Sequence, residues 1–455
     1  MISTTLHRVL AIASEGFGVG LFERQGLADL IAEALGETDR YHKKDCPLTA
    51  PLVMFFVLSM ALFRGTSIKC LLKQLLGWMR AKAPRLSLRA VTPEAICHAR
   101  GRLGIEPLLA LFQKVAARIK APISFCGLRV WAVDGVHLKM PDTPANEAEF
   151  GRPSSSRGPG AFPQMLVVAL VETTTRLIRD IAIGKNSDPE RPGCEQLLAH
   201  LGSLDLLLLD RGFAAVWLFA RILGHEAHFS SRIPKSWNPV TIARLGPGDW
   251  LVEVKGPGDK AGGKHIVLEL RMIEYRIGDR ERVRLLTDLL DPVRYPAREL
   301  AGLYHRRWES ELSYDEIKTH LAAVAQGTVE TVLRSKTPDG VRQETYSLFT
   351  VYNLVRELMH QAAEEHDVSP LEISFVETLH VIKNALPEIE RAGDSERPRL
   401  IQRLLADIAA CRIDRPRRAR ACPRVIKVKM SNWKLKRGEH CQTRVDFAAE
   451  LQLCG

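Results

Sequence analysis

Leu128-Arg-Val-Trp-Ala-Val-Asp-Gly135 is where the chain changes its period. As far as about residue 120 the apolar residues recur at helical spacing; here they alternate, and the run stops at Asp-Gly, the pattern of a strand ending in a turn. Two further strands are expected at Gln164–Glu172 and Leu177–Ile183, joined by a Thr-rich turn, and then a helix over Cys194–Gly202. Leu204-Asp-Leu-Leu-Leu-Leu-Asp-Arg-Gly212 reads as a continuous apolar strand buried on both faces. A helix over Phe213–Leu223 and a strand over Ala227–Ile233 follow. Strands alternating with helices make this an α/β domain.

Outward from that core the rhythm differs. Between Pro234 and Pro296 three strands, Trp250–Val254, His265–Tyr275 and Arg282–Thr287, lie among Gly- and Pro-rich turns, as in a β-rich insertion. The Pro-, Gly- and Ser-rich stretch from Pro141 to Pro163 reads as a surface loop. Helical pattern resumes at Ala297 and runs to about Asp407. The expected organisation is an all-helical N-terminal domain over 1–120, an α/β domain over 125–365 interrupted at about 234–296, and a helical and basic region over 366–455. In the first of these, Thr92-Pro-Glu opens a helix with a cap and Pro at its first position. That helix carries His98, Arg100 and Arg102, and suits either a helix-turn-helix reader or a helical lid.

The chain has 455 residues, 46% hydrophobic and 26% charged, with a formal net charge of +11 and a pI near 9.3. That length implies two or three domains, and that charge a polyanionic partner. From Arg412 to Arg437 eleven Lys and Arg residues face Asp414 alone, interleaved with Val425, Ile426, Val428, Trp433 and Leu435. This suits an arm on nucleic acid better than an inert tail. Nine scattered cysteines form no Cys-x-x-Cys pair, which excludes a zinc ribbon and a disulfide framework and fits a reducing cytoplasm. No leader peptide is expected, and the most apolar run, Pro51–Phe63, is too short to span a bilayer. His137, His305 and His320 have no nucleophile in a Gly-x-Ser-x-Gly setting.

Carboxylates carry the chemistry. Asp134 follows Val130-Trp-Ala-Val and Asp210 follows Leu206-Leu-Leu-Leu, at the strand ends where α/β sheets place function. Either alone would read as a turn cap. A third acid stands in Leu303-Tyr-His-Arg-Arg-Trp-Glu-Ser-Glu-Leu-Ser-Tyr-Asp-Glu-Ile-Lys318. On a helix turning about 100° per residue, Arg307, Trp308, Glu311 and Lys318 fall within about 60° of Tyr304, while Glu309 and Glu316 point away. Three carboxylates from separate elements can hold two Mg²⁺ ions for in-line phosphoryl transfer. Arg307 and Lys318 would then neutralise phosphates. Asp142, Asp205, Asp288 and Asp291 are set aside as loop, strand-start or turn residues. Asp315 lies within about 20° of Tyr304, so the wheel does not separate it from Glu311.

The string Tyr304-x2-Arg307-x3-Glu311-x6-Lys318 resembles the hallmark of the DDE transposases of bacterial insertion sequences, in the insertion sequence four family. Val133-Asp-Gly135 with Pro141–Asn146 is similar to the family's first-Asp region, and Leu208-Leu-Asp-Arg-Gly-Phe213 to its second. Leu286–Pro292, Leu333–Gly340 and Ala99–Gly104 also resemble family segments. The resemblance implies a ribonuclease H-like mixed-sheet core with a β insertion between the second Asp and the Glu, and an N-terminal domain that recognises DNA ends. It makes Asp134, Asp210 and Glu311 the catalytic and metal-binding triad, in preference to Asp315. Tyr304, Arg307 and Lys318 become phosphate contacts, and Trp308 packs or stacks near a displaced base; Trp237 and Trp250 are candidates for holding a flipped base. Two Mg²⁺ ions, with Mn²⁺ as a substitute, are the implied cofactors. Terminal inverted repeats and target DNA are the implied partners, bound by a homodimer at the bacterial nucleoid and away from any membrane. The alternatives are a nuclease that cuts without joining and a catalytically silent DNA-binding repressor.

Overall fold

The computed structural model describes residues 26–41, 48–82, 91–156, 158–257, 265–278, 282–321, 333–393, 395–413 and 447–454. Helices α1 (Leu27–Glu37), α2 (Ala50–Leu62), α3 (Ile68–Lys82), α4 (Pro93–Leu103) and α5 (Glu106–Ala117) come first. Strands β1 (Ile123–Phe125) and β2 (Leu128–Lys139), helix α6 (Pro144–Phe150) and the short pair β3 (Ser154–Ser155) and β4 (Gly158–Pro159) follow. Next are β5 (Gln164–Glu172), β6 (Ile178–Lys185), α7 (Glu190–Leu197), β7 (Asp205–Leu209), α8 (Val216–Gly224) and β8 (His228–Arg232). Strands β9 (Val240–Gly246), β10 (Asp249–Gly256), β11 (Ile266–Ile277) and β12 (Val283–Thr287) form the insertion. Helices α9 (Ala297–Tyr304) and α10 (Trp308–Asp315) precede α11 (Pro338–Glu365), α12 (Phe375–Arg391), α13 (Arg397–Ala410), α14 (Phe447–Glu450) and strand β13 (Leu451–Leu453).

Two compact units result. One comprises Met1–Ala121, Asp134–Leu197 and Glu309–Arg412; the other comprises Pro122–Val133, Leu198–Trp308 and Ile413–Gly455. Strand β2 gives its second half to the first unit and its first half to the second. The hydrogen-bonded order is β6-β5-β2 in unit one and β2-β7-β8-β12-β11-β10-β9 in unit two. Within unit one β5 runs antiparallel to β6, and within unit two β7 runs parallel to both β2 and β8, the strand directions of a ribonuclease H-like mixed sheet.

In unit one, all thirteen residues of α2 are buried, as a sequence apolar but for Ser59 requires; the Ser59 hydroxyl donates to the Phe55 carbonyl. The helix packs against α1, α3, α4 and the long helix α11, in one core shared with α5 and the apolar face of β2, β5 and β6. Thr92, Thr143, Thr337 and Ser374 cap α4, α6, α11 and α12 by accepting the backbone N–H three residues on. The Thr143 cap followed by Pro144 builds α6 inside the stretch expected to be a loop; its Pro and Ser content outweighed that signal in the sequence reading. Burial of Glu344 is compensated by Arg64, by the backbone N–H groups of Arg334 and Ser335, and by the Ser335 hydroxyl.

In unit two, Asp205 sets the register of β2 on β7: it accepts from Trp131 Nε1 at 2.7 Å, from Arg129 Nη2 at 2.7 Å and from the Gly202 N–H at 2.9 Å. Ala132 is thereby paired with Leu208. All five residues of β7 are buried, as expected of a strand with parallel neighbours on both sides. The insertion continues the sheet, because β12 pairs antiparallel with β8. Strands β9 and β13 were not expected from the sequence; β13 returns from the far C-terminal stretch to pair with β11. The tight turn between β9 and β10 requires Gly248, whose φ is +64° and where a Cβ would lie 2.5 Å from the Glu274 carbonyl oxygen.

The fully buried Arg271 organises the insertion. It is bidentate to Asp249, at 2.7 and 2.6 Å, and donates to the carbonyls of Tyr295 at 2.7 Å and Leu289 at 3.1 Å, on the segment leading into α9. Asp249→Ala leaves that guanidinium without a counter-charge, and the expected loss is about 3–5 kcal/mol in denaturant unfolding. A loss below about 1 kcal/mol would show a pair screened by water.

Candidate active site

Asp134 does not end its strand. Strand β2 runs on through Gly135 to Lys139, so Asp134 is internal to it. Polar residues in the second half of β2 hid the continuation, and Asp-Gly imitated a turn. The half-buried Asp134 carboxylate accepts the Gly135 N–H at 2.9 Å. Above Gly135 lies Glu190, the first residue of α7: a methyl group on Gly135 would sit 2.2 Å from its Oε1. Asp210 stands as expected at the end of β7, where its carboxylate caps the turn Arg211–Phe213 through the Gly212 N–H at 2.6 Å. Asp210 therefore caps a turn, as a strand-end aspartate does, whereas Asp134 bonds the next N–H within a continuing strand.

The sixteen-residue stretch expected as one helix changes pitch twice. A 3₁₀ turn over His305–Arg307 separates α9 from α10, and a π-turn over Glu316–Leu321 follows α10. A constant 100° wheel therefore fails across it. The boundary between the units also crosses it, leaving Tyr304, Arg307 and Trp308 in unit two, and Glu311 and Lys318 in unit one. Asp134 belongs with Glu311 in unit one, and Asp210 with Tyr304 in unit two.

In unit two the Tyr304 hydroxyl donates to the Leu209 carbonyl at 3.1 Å, one residue before Asp210. Burial pushes its pKa up to about 12; the Arg307 charge opposes this and the Asp210 charge adds to it. Arg307 is itself buried, with its guanidinium 5.3 Å above the ring of Trp308, which is 44% exposed. Trp237 packs edge-on against Phe219, and Trp250 is half-buried in β10 opposite Met272 of β11.

In unit one, Glu309 and Glu316 turn inward. Arg176 donates to Glu309 at 2.7 Å and to Glu316 at 2.5 Å, and Glu316 also accepts from Arg356 and from the Tyr352 hydroxyl, the latter at 2.9 Å. Burial acts to raise the pKa of Glu316, but Arg356 and Arg176 together hold it below the usual carboxylate range. Arg176 has a left-handed backbone, φ 62°, in the β5–β6 turn, which the buried Glu172 builds by accepting from the N–H and hydroxyl groups of Thr174 and Thr175. Glu311 and Lys318 are half-buried. The ammonium of Lys318 is held below the usual lysine range by burial and by Lys139, with Asp315 opposing. Asp315 accepts from Thr319 Oγ1 at 2.8 Å and lies 3.8 Å from His320.

The sequence reading missed Arg176, Glu190 and Tyr314. Arg176 could have been flagged as a lone charge closing a Thr-rich turn, and Tyr314 by its three-residue spacing from Glu311. Of the helix-turn-helix candidates, Arg100 is buried and bonded to Gln343, Ser335 and the Gly340 carbonyl, whereas His98 and Arg102 are exposed. The basic stretch from 414 onward lies outside the described residues. Among the described residues, no group of three or more His, Cys, Asp or Glu side chains is gathered closely enough to hold a metal. No helix among them is long and apolar enough to cross a membrane.

Residues 126–354 match the transposase DDE domain family, and residues 18–113 the N-terminal family of insertion element 4 transposases. The chain is 30% identical over 407 residues to the transposase InsG for insertion sequence element IS4 of Escherichia coli K12, covering 88% of this chain and 90% of that one. It is 26% identical over 124 residues to the putative transposase InsZ of the same organism, covering 26% and 42% of the two chains. Among solved structures it is similar to the piggyBac transposase synaptic complex with hairpin DNA, with a TM-score of 0.41 at 9% identity, over 88% of this chain and 85% of that one. The chain belongs to the DDE transposases, with an N-terminal region of the insertion element 4 type.

Proposed function

We propose that the protein cuts the ends of its insertion sequence and joins the freed 3′-hydroxyl to target DNA, with Asp134, Asp210 and Glu311 as its catalytic carboxylates. The observation that carries the reading is the match of residues 126–354 to the transposase DDE domain, a span that contains all three carboxylates. In the first cut a water oxygen bonds to phosphorus while the bond from phosphorus to the 3′-oxygen breaks. In joining, the 3′-oxygen bonds to a target phosphorus and displaces that strand's own 3′-oxygen.

Divalent-metal use goes with the DDE family as a class, and the donors fit Mg²⁺, with Mn²⁺ as a substitute: three carboxylates, all oxygen. Asp134, Asp210 and Glu311 would hold such ions, which would supply activation of the attacking oxygen and neutralisation of the leaving one. The backbone N–H bonds of Gly135 and Gly212 orient the two aspartates for this. Lys318 and Arg307 take the phosphates at the element's end. Trp308, 44% exposed with the Arg307 guanidinium over its ring, offers a base a stacking surface. Tyr304 is assigned to fixing the end of β7 beside Asp210, since its hydroxyl is engaged there. The N-terminal region 1–120, presenting His98 and Arg102, recognises the terminal repeats; a homodimer at the nucleoid pairs two ends; and the basic stretch 412–437 holds the DNA backbone.

Glu311→Gln is expected to abolish Mg²⁺-dependent nicking of labelled element ends while shifting end binding by less than about threefold. Cleavage retained with binding lost would overturn the assignment; in the wild type, nicking without joining would identify a nuclease, and binding alone a repressor. The protonated form of Lys318 costs stability at neutral pH, a cost relieved as pH rises toward the usual lysine range. Lys318→Met is therefore expected to raise the thermal midpoint at neutral pH, remove that alkaline gain, and flatten the salt dependence of end binding by about one unit of log–log slope. A lowered midpoint would instead make Lys318 an ion-pair partner. Neutralising four residues among Arg415–Arg424 is expected to reduce that slope by about 3–4; an unchanged slope would remove this stretch from the DNA.

A further inference from the structure

Tyr314 is a buried residue of α10, one helical turn beyond Glu311, and its ring belongs to the apolar core of unit one. Its hydroxyl does not reach solvent. It donates to the backbone carbonyl of Asp134 on β2 at 2.5 Å and accepts the backbone N–H of Ala169 on β5 at 3.0 Å. Two neighbouring strands are thus joined through a side chain from the helix that carries Glu311. We propose that Tyr314 is a positioning residue for the phosphoryl-transfer site, locking α10 onto β2 so that Glu311 and Asp134 are held at one fixed separation. The inference rests on the catalytic assignment of those two carboxylates.

The lock has two independent parts. The ring fixes how deeply α10 sits in the core, and the hydroxyl fixes where it sits along β2, because only one position satisfies both a carbonyl and an N–H at hydrogen-bond length. A phenylalanine would keep the first and lose the second, leaving two buried backbone groups that shared this oxygen. They can find other partners only if strand or helix shifts. Glu311 and Asp134 then separate or rotate, and a misplacement of about 1 Å at a reacting centre costs on the order of 100-fold in rate. Arg176 anchors α10 through Glu309 and the π-turn after it through Glu316, so a shift caused by losing the hydroxyl is concentrated on the segment between them that carries Glu311.

The test compares wild type, Tyr314→Phe and Glu311→Gln as full chains on a labelled duplex of the inverted repeat flanking the gene. Folding is checked by thermal melting, and assays run well below each midpoint. For Tyr314→Phe the expected result is end binding within about twofold of wild type, a maximal nicking rate lower by about 10–100-fold, and a higher Mg²⁺ concentration for half-maximal nicking. The rise in thermal midpoint on adding Mn²⁺ to the end-bound complex, a readout of metal binding separate from the nicking rate, is expected to shrink. Wild-type nicking and an unchanged Mn²⁺ increment in folded Tyr314→Phe would overturn the positioning role. If Tyr314→Phe does not fold, 4-aminophenylalanine at 314, which restores a donor at the same place, is expected to nick within about threefold of wild type; a loss as deep as that of Glu311→Gln would overturn the role. A Glu311→Gln chain that still nicks would overturn the active-site reading itself, whatever Tyr314 does.

Discussion

A carboxylate kept ionised in the interior is the constraint on which unit one turns. Glu316 is buried and retains its charge because Arg176, Arg356 and the Tyr352 hydroxyl surround it. Such an arrangement tolerates no partial version, since taking away one partner strands a charge at a cost of about 3–5 kcal/mol. It therefore binds three distant pieces of chain into one choice of geometry: the β5–β6 turn that supplies Arg176, the helix and π-turn that supply Glu309 and Glu316, and the long helix α11 that supplies Arg356. The π-turn carrying Lys318 is held from below by this network. A wider helical turn is unfavourable by itself and survives where surrounding contacts over-determine it.

Unit two meets the same problem with a different residue. Arg271 is buried without any exposure and is satisfied by Asp249 and by carbonyls of the segment before α9. A guanidinium suits this role because its five donors lie in a fixed plane and can close a loop while pairing with an acid. Insertion and core thus share one continuous sheet, β8 to β12, stapled at the point where the chain leaves for Tyr304.

How much of this could be read in the amino acids depended on the scale of the signal. The pure apolar run at Leu206–Leu209 and the alternation at Leu128–Val133 gave the two central strands, and Glu311 was singled out only by resemblance to the family string. The extent of β2 was illegible because His137 and Lys139 look like loop residues, while their burial partners come from elsewhere in the sequence. The pitch changes at 305 and 316 were illegible for the same reason: nothing local distinguishes Glu309 and Glu316 from solvated acids until Arg176, more than a hundred positions earlier, is placed beside them. Asp205 and Asp288, set aside as incidental, hold β7 and β8, Asp288 through the Phe229 N–H and a hydrogen bond with His228 Nδ1. Long-range polar contacts carry no period, and period is what a single sequence displays.

Strand β13 gives the insertion a border drawn from a distant part of the chain. Leu451–Leu453 pair with Tyr275–Ile277, the end of β11 that lies beyond its pairing with β10 at Ile266–Ile273, and the Cys454 N–H donates to the Glu274 carbonyl at 2.9 Å. Backbone groups that would stand open as a template for another chain are taken by this chain's own residues, so the edge of the insertion is blunted from within.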